Sequence, residues 1–216
     1  MGSGVQLSRR HLLIPVALLV FWLVHPGGLL DRRREFQLHR HPHSVATAVE
    51  TAIAGVASSL ADRRVEVRCR DLSEADSMEP LGRVQFVGDR PLDYMELRPD
   101  VCTTLMQVRR DPVFRSCAAP DAGCWARVDR TAKALAAVAH ESYHLRGVRN
   151  EAVTQCYALQ RVRDTARAFG ISGRAAGALA GWAYRVDYPR MPPAYVTPAC
   201  GPGGHLDLYT GSPWLG

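Results

Sequence analysis

The stretch that most constrains this chain is DRTAKALAAVAHESYHLRG, residues 129–147. It is alanine- and leucine-rich, has no proline and has no glycine before its last residue, so it predicts one unbroken helix that stops where Gly147 can turn left-handed. A helix puts residues four apart on one face, one turn from each other. His140 and His144 have that spacing, and their imidazoles can reach a single zinc ion together. Glu141, next to the first histidine, is placed to accept a proton from a water whose pKa the metal lowers. HExxH is short enough to arise by chance, so it counts only in context. Here the context is an unbroken helical run, a helix stop just after the second histidine, and an acidic residue close behind.

A catalytic zinc needs a third protein ligand. Where the HExxHxxGxxH pattern has its third histidine, this chain has Asn150, whose neutral amide is a poor ligand. Glu151 follows it and opens the next helical run, EAVTQCYALQRVRDTARAF, which Asn150 can cap. A chain that reverses at Gly147 brings Glu151 beside His144. The rival third ligand is Asp164, several turns further along, and His205 is a remote third choice. Tyr143 and Tyr157 could offer a phenol to a developing oxyanion, although packing is the commoner fate of such residues.

Ahead of this region, SVATAVETAIAGVASSLA (residues 44–61) has apolar residues at helical spacing, with Ser44 as its cap. RVEVRC, GRVQFVG and DYMELR alternate branched or aromatic residues with polar ones and predict short strands of a small antiparallel sheet. PDVCTTLMQVRRD predicts a short helix. A last helical run, SGRAAGALAGWAYRVDY, stops before PRMPPAY, and the proline- and glycine-rich tail is expected to lie across the body. The fold class is therefore α+β: a small antiparallel sheet, then a helix-dominated half built on the HExxH helix.

The N-terminal 30 residues contain an apolar run from Leu12 to Leu30, broken only by His25, Pro15, Pro26 and two glycines. It suits an uncleaved signal anchor or, second, a cleaved secretory signal. Residues 31–44, DRRREFQLHRHPHS, then read as a polar stalk, and 45–216 as the domain outside the membrane. Cysteine usage agrees with that placement. All six, Cys69, Cys102, Cys117, Cys124, Cys156 and Cys200, follow the apolar run, and none has zinc-ribbon spacing, so disulfides in an oxidising compartment are expected. Cys117 and Cys124 could staple a local loop, and Cys156 could pair with Cys200 or Cys102.

Net charge is +6, but five arginines and one acid in the first 34 residues supply most of it. In the body the charges are mixed, and no basic run alternates with aromatic residues. Nucleic acid is therefore excluded as a partner.

The segment AHESYHLRGVRNEAVTQCYALQ resembles a family of bacterial zincin-like proteins with the pattern HExxHxxGxxxEAxxxCxA after an N-terminal hydrophobic segment. The similarity extends through VRC, DVC and the YPxxPPAYxTPAC tail, covering most of the region 60–205. It implies a zincin-like fold and a gluzincin-type metallopeptidase site, with His140, His144 and Glu151 as zinc ligands and Glu141 as general base. The substrate it implies is a peptide or protein. The alternative is a zincin-like, disulfide-stabilised domain outside the membrane that binds without turnover.

Overall fold

The computed structural model describes residues 46–72, 80–111 and 125–210. The expected anchor and stalk, Ser44, and the Cys117 and Cys124 loop lie outside the described residues. Helix α1 spans Ala48–Ala61. It starts later than the sequence predicts because Thr47 makes a capping box. The Thr47 hydroxyl accepts from Glu50 N at 3.2 Å, and Glu50 Oε2 accepts from Thr47 N at 2.8 Å. The other oxygen of Glu50 accepts from Cys69 N at 2.8 Å, tying the helix to the first strand.

Among the described residues five short strands follow: β1 Glu66–Cys69, β2 Gly82–Arg83, β3 Phe86–Val87, β4 Arg90–Pro91 and β5 Tyr94–Leu97. Their pairing corrects the antiparallel expectation. β1, β5 and β2 form one mixed sheet in that order, with β1 parallel and β2 antiparallel to β5, while β3 and β4 make a separate hairpin. GRVQFVG, read as one strand, is thus divided between two sheets. Alternation of polar and apolar residues marks a strand but does not specify its partner or direction.

Helix α2, Pro99–Arg110, starts on a proline, as a helix N-terminus tolerates. The Cys69–Cys102 disulfide joins it to β1. Helix α3, Trp125–Leu145, is the centre of the fold, with α1, α2 and the following helices packed around it. Fifteen of its 21 residues are buried, and its run of alanines lets neighbours close in on every side.

Helix α4, Glu151–Ala168, is capped as predicted, with Asn150 Oδ1 accepting from Val153 N at 3.0 Å. Helix α5, Gly173–Trp182, is shorter than the predicted run. At Ala183–Asp187 the chain loosens into a π-turn, then tightens at Tyr188–Arg190, where Pro189 cannot continue a helix. A last short turn, Pro193–Tyr195, begins a strap laid on α4 and fastened to it by the Cys156–Cys200 disulfide. Further along, Gln160 of α4 holds the strap through Leu206 O and Leu208 N, at 2.9 and 2.7 Å. Among the described residues, no helix is long and apolar enough to cross a membrane.

Candidate metal centre

The turn between α3 and α4 assembles the site. Gly147 takes φ 90°, its N–H donates to His144 O at 2.8 Å, and the Val148 N–H donates to Tyr143 O at 3.2 Å. These paired bonds end α3 in a left-handed cap that a residue with a Cβ adopts poorly. The chain reverses within a few residues, so Glu151 opens α4 directly beside His144.

The three predicted ligands converge. His140 Nε2 lies 2.9 Å from His144 Nε2 and 2.9 Å from Glu151 Oε2, and His144 Nε2 lies 3.4 Å from the same oxygen. Both histidines are buried, and Glu151 is partly exposed. The other nitrogen of each ring is engaged on the far side. His144 Nδ1 lies 2.7 Å from the Val148 carbonyl, which can only accept, so that nitrogen carries the hydrogen. His140 Nδ1 donates in the same way to Gln155 Oε1 at 2.8 Å. With both protons on Nδ1, two Nε2 lone pairs and a carboxylate oxygen face one another. Three electron-pair donors this close repel unless a proton or a metal ion lies between them, and as neutral imidazoles with a carboxylate they make a donor set that could hold a small divalent metal.

The charges respond to this crowding. Where a proton rather than a metal relieves the crowding, the charged imidazole donates through Nε2 to Glu151; burial pushes the Glu151 carboxyl up, but these hydrogen bonds from His140 and His144 outweigh it and hold its pKa at about 2. Burial pushes the His144 imidazole down, and its hydrogen bond to Glu151, with the charge of Glu141, brings it above the ordinary 6.5.

Glu141 is enclosed, with 4% of its surface exposed. Burial raises its pKa against the pull of both histidines, and its Oε2 has no hydrogen-bond partner. Strand β2 covers it. A Cβ at Gly82 would lie 2.8 Å from Glu141 Cγ and 2.9 Å from Leu97 Cδ2, so only glycine lets the strand come this close.

Two aromatic residues flank the cluster. Phe86 of the β3–β4 hairpin meets the His144 ring edge-on at 6.2 Å, and Tyr195 of the strap lies 5.8 Å from the His140 ring. No protein-family model, curated protein or solved structure matches the chain.

The other candidates fall elsewhere. Asp164 lies 13 residues beyond Glu151 on α4, roughly 20 Å along the axis, and engages Arg161 and Tyr209 at 3.2 and 3.3 Å. His205 is exposed on the strap. Tyr143 is buried against Tyr157, and its hydroxyl accepts from Arg161 Nε at 3.3 Å, so both phenols belong to the packing of α3 on α4. Of the two partners open to Cys156, Cys200 is the one bonded. Sequence reasoning missed Gln155, Gly82, Phe86 and Tyr195. Gln155 alone carried a local signal, one helical turn after Glu151 on the same face.

Proposed function

We propose that this chain is a zinc-dependent metallopeptidase of the gluzincin type that cleaves peptide or protein substrates. The observation that carries the reading is the convergence of His140, His144 and Glu151 within 4.8 Å of one another, with Glu141 on the same helix. Two imidazoles and one carboxylate suit zinc better than the oxygen-seeking calcium or magnesium. Bound there, zinc supplies a Lewis acid and lowers the pKa of water.

The chain's own groups do the rest. Glu151 and the two imidazoles set the donor geometry, while Gln155 and the Val148 carbonyl hold the rings in one tautomer. Glu141 takes the proton of the attacking water and returns it to the leaving nitrogen. The carbonyl carbon thus gains an oxygen and loses the amine, giving a carboxylate and an amine. Burial raises the Glu141 carboxyl above the ordinary carboxylate range, which favours a proton held there between the two steps. The Cys69–Cys102 and Cys156–Cys200 disulfides fit a domain outside the membrane, anchored or secreted through the N-terminal apolar run.

The second reading, a zinc-binding domain without turnover, draws on the burial of Glu141 beneath β2. Metal content by mass spectrometry on the oxidised protein, alongside His144→Ala and Glu151→Ala, tests the site. One zinc per chain, lost in both variants, is expected. Cleavage of fluorescein-labelled casein, abolished by Glu141→Gln, then supports the peptidase. Zinc without cleavage favours the binding domain, and no zinc in the parent refutes both readings.

A further inference from the structure

We infer that Tyr195 is a catalytic residue: its phenol donates a hydrogen bond to the carbonyl oxygen of the scissile peptide as that oxygen gains charge. This rests on the peptidase reading above and assigns a group that reading leaves open.

Addition of water to a peptide carbonyl puts negative charge on the carbonyl oxygen, and a fixed donor aimed there is among the largest contributions a protein can make to the rate. The donors near the cluster can be narrowed by what already holds them. Both Nδ1–H groups are committed to Gln155 and Val148. Tyr143 is buried, with its ring packed on Tyr157 between α3 and α4. Arg149 is drawn off to Asp89 at 2.6 Å and lies over the Phe86 ring. Tyr195 stands against His140, ring centroids 5.8 Å apart and tilted by 41°. It is partly exposed, and its hydroxyl makes no hydrogen bond among the described residues.

The backbone holds this phenol in place before any substrate arrives. Pro192 and Pro193 restrict the approach, and the turn closes through Tyr195 N to Pro192 O at 2.9 Å and Val196 N to Pro193 O at 3.2 Å. Thr197 N then donates to the Tyr188 hydroxyl at 2.9 Å, and Cys200 is bonded to Cys156 on α4, the helix that carries Glu151. Tyr195 is therefore fixed relative to the ligands by both ends of its own segment. Having no internal partner, the hydroxyl can be removed without disturbing the fold.

The test uses the full-length, oxidised, zinc-loaded protein and Tyr195→Phe, with two probes: labelled casein, and a peptide phosphonate whose tetrahedral oxygens mimic the addition step. Zinc stoichiometry and melting temperature are expected to match the parent. Casein turnover is expected to fall about 100-fold, the scale for loss of one oxyanion donor. Phosphonate affinity, read by calorimetry without turnover in a Glu141→Gln background, is expected to fall at least about tenfold for the same reason. Unchanged turnover and phosphonate affinity in Tyr195→Phe overturn the assignment and leave the peptidase standing. A zinc-loaded parent that neither cleaves casein nor binds the phosphonate overturns the peptidase, and the role of Tyr195 with it.

Discussion

Gly82→Ala tests whether strand β2 positions Glu141, the proposed general base. The new methyl would lie 2.8 Å from Glu141 Cγ and 2.9 Å from Leu97 Cδ2. Carbon atoms rest comfortably at about 3.5–4.0 Å, so these contacts must open by roughly 0.7–1 Å. Neither neighbour can yield into solvent, since Leu97 is fully buried and Glu141 nearly so. Overpacking of this kind costs about 1–3 kcal/mol. Replacing glycine by alanine within a strand returns about 0.5–1 kcal/mol of backbone entropy. The net expectation is a loss of roughly 1 kcal/mol in a urea melt, carried by the difference of these two effects. Function should suffer more than stability. Displacing a reacting group by about 1 Å can cost on the order of 100-fold in rate, whereas the zinc ligands are not among the atoms the methyl strikes. The variant should therefore hold one zinc and cleave casein about 100-fold more slowly. Stability at or above the parent's, with full turnover, would refute the claim that β2 fixes Glu141.

Four further outcomes can be measured on the same material. Glu141→Gln should keep its zinc and, stripped of metal, melt at or above the parent temperature at neutral pH. Burial raises that carboxyl above 4.5, so its ionised form weighs against folding as pH rises through that value, and calorimetry across pH checks the sign. Glu151 acts in the opposite sense. Held at about 2, it stabilises the zinc-free fold above pH 4.5, an advantage that fades as pH falls from there toward 2 and should be missing from the acid titration of Glu151→Gln. Gln155→Leu frees the His140 ring to turn and should weaken zinc about 10- to 100-fold in competition with a chelator, leaving stoichiometry intact at saturation. Replacing Cys156 and Cys200 together by serine opens a loop with a sequence separation of 44, and chain entropy sets the loss at about 4 kcal/mol in urea. A loss below about 1 kcal/mol would mean that the unfolded chain is already constrained there.

The clustering of the three proposed metal ligands was legible in the sequence because they are local. His140, His144 and Glu151 lie on two consecutive helices around one glycine turn, so helical periodicity, a helix stop and a cap suffice to bring them together. The same reasoning found α2 and α4 and most of α1. It failed where placement depends on distant packing. Nothing in DYMELR says that β5 pairs parallel with β1 on one side and antiparallel with β2 on the other. Nothing around Gly82 announces a glutamate 59 residues later beneath it. Tyr195 sits in a proline-rich tail that, read alone, predicts only an extended strap, and its place beside His140 comes from the fastening of that strap to α4. The expected α5 was too long because propensity alone gives no warning of the π-turn at Ala183–Asp187.

The spacing of the site along the chain has a kinetic consequence. Everything that would grip the proposed metal falls between His140 and Gln155, in a helical hairpin of short-range contacts, and such hairpins form early and fast. What would complete the proposed chemistry arrives from far away: Gly82 from upstream over Glu141, and Tyr195 from downstream beside His140. Metal capture can thus precede assembly of the catalytic cleft. An ion taken up by the nascent hairpin adds its binding energy to the α3–α4 turn while the sheet and strap are still searching for their places. On the proposed reading zinc would serve as a folding nucleus before it served as a reagent, and a chain starved of it should refold more slowly.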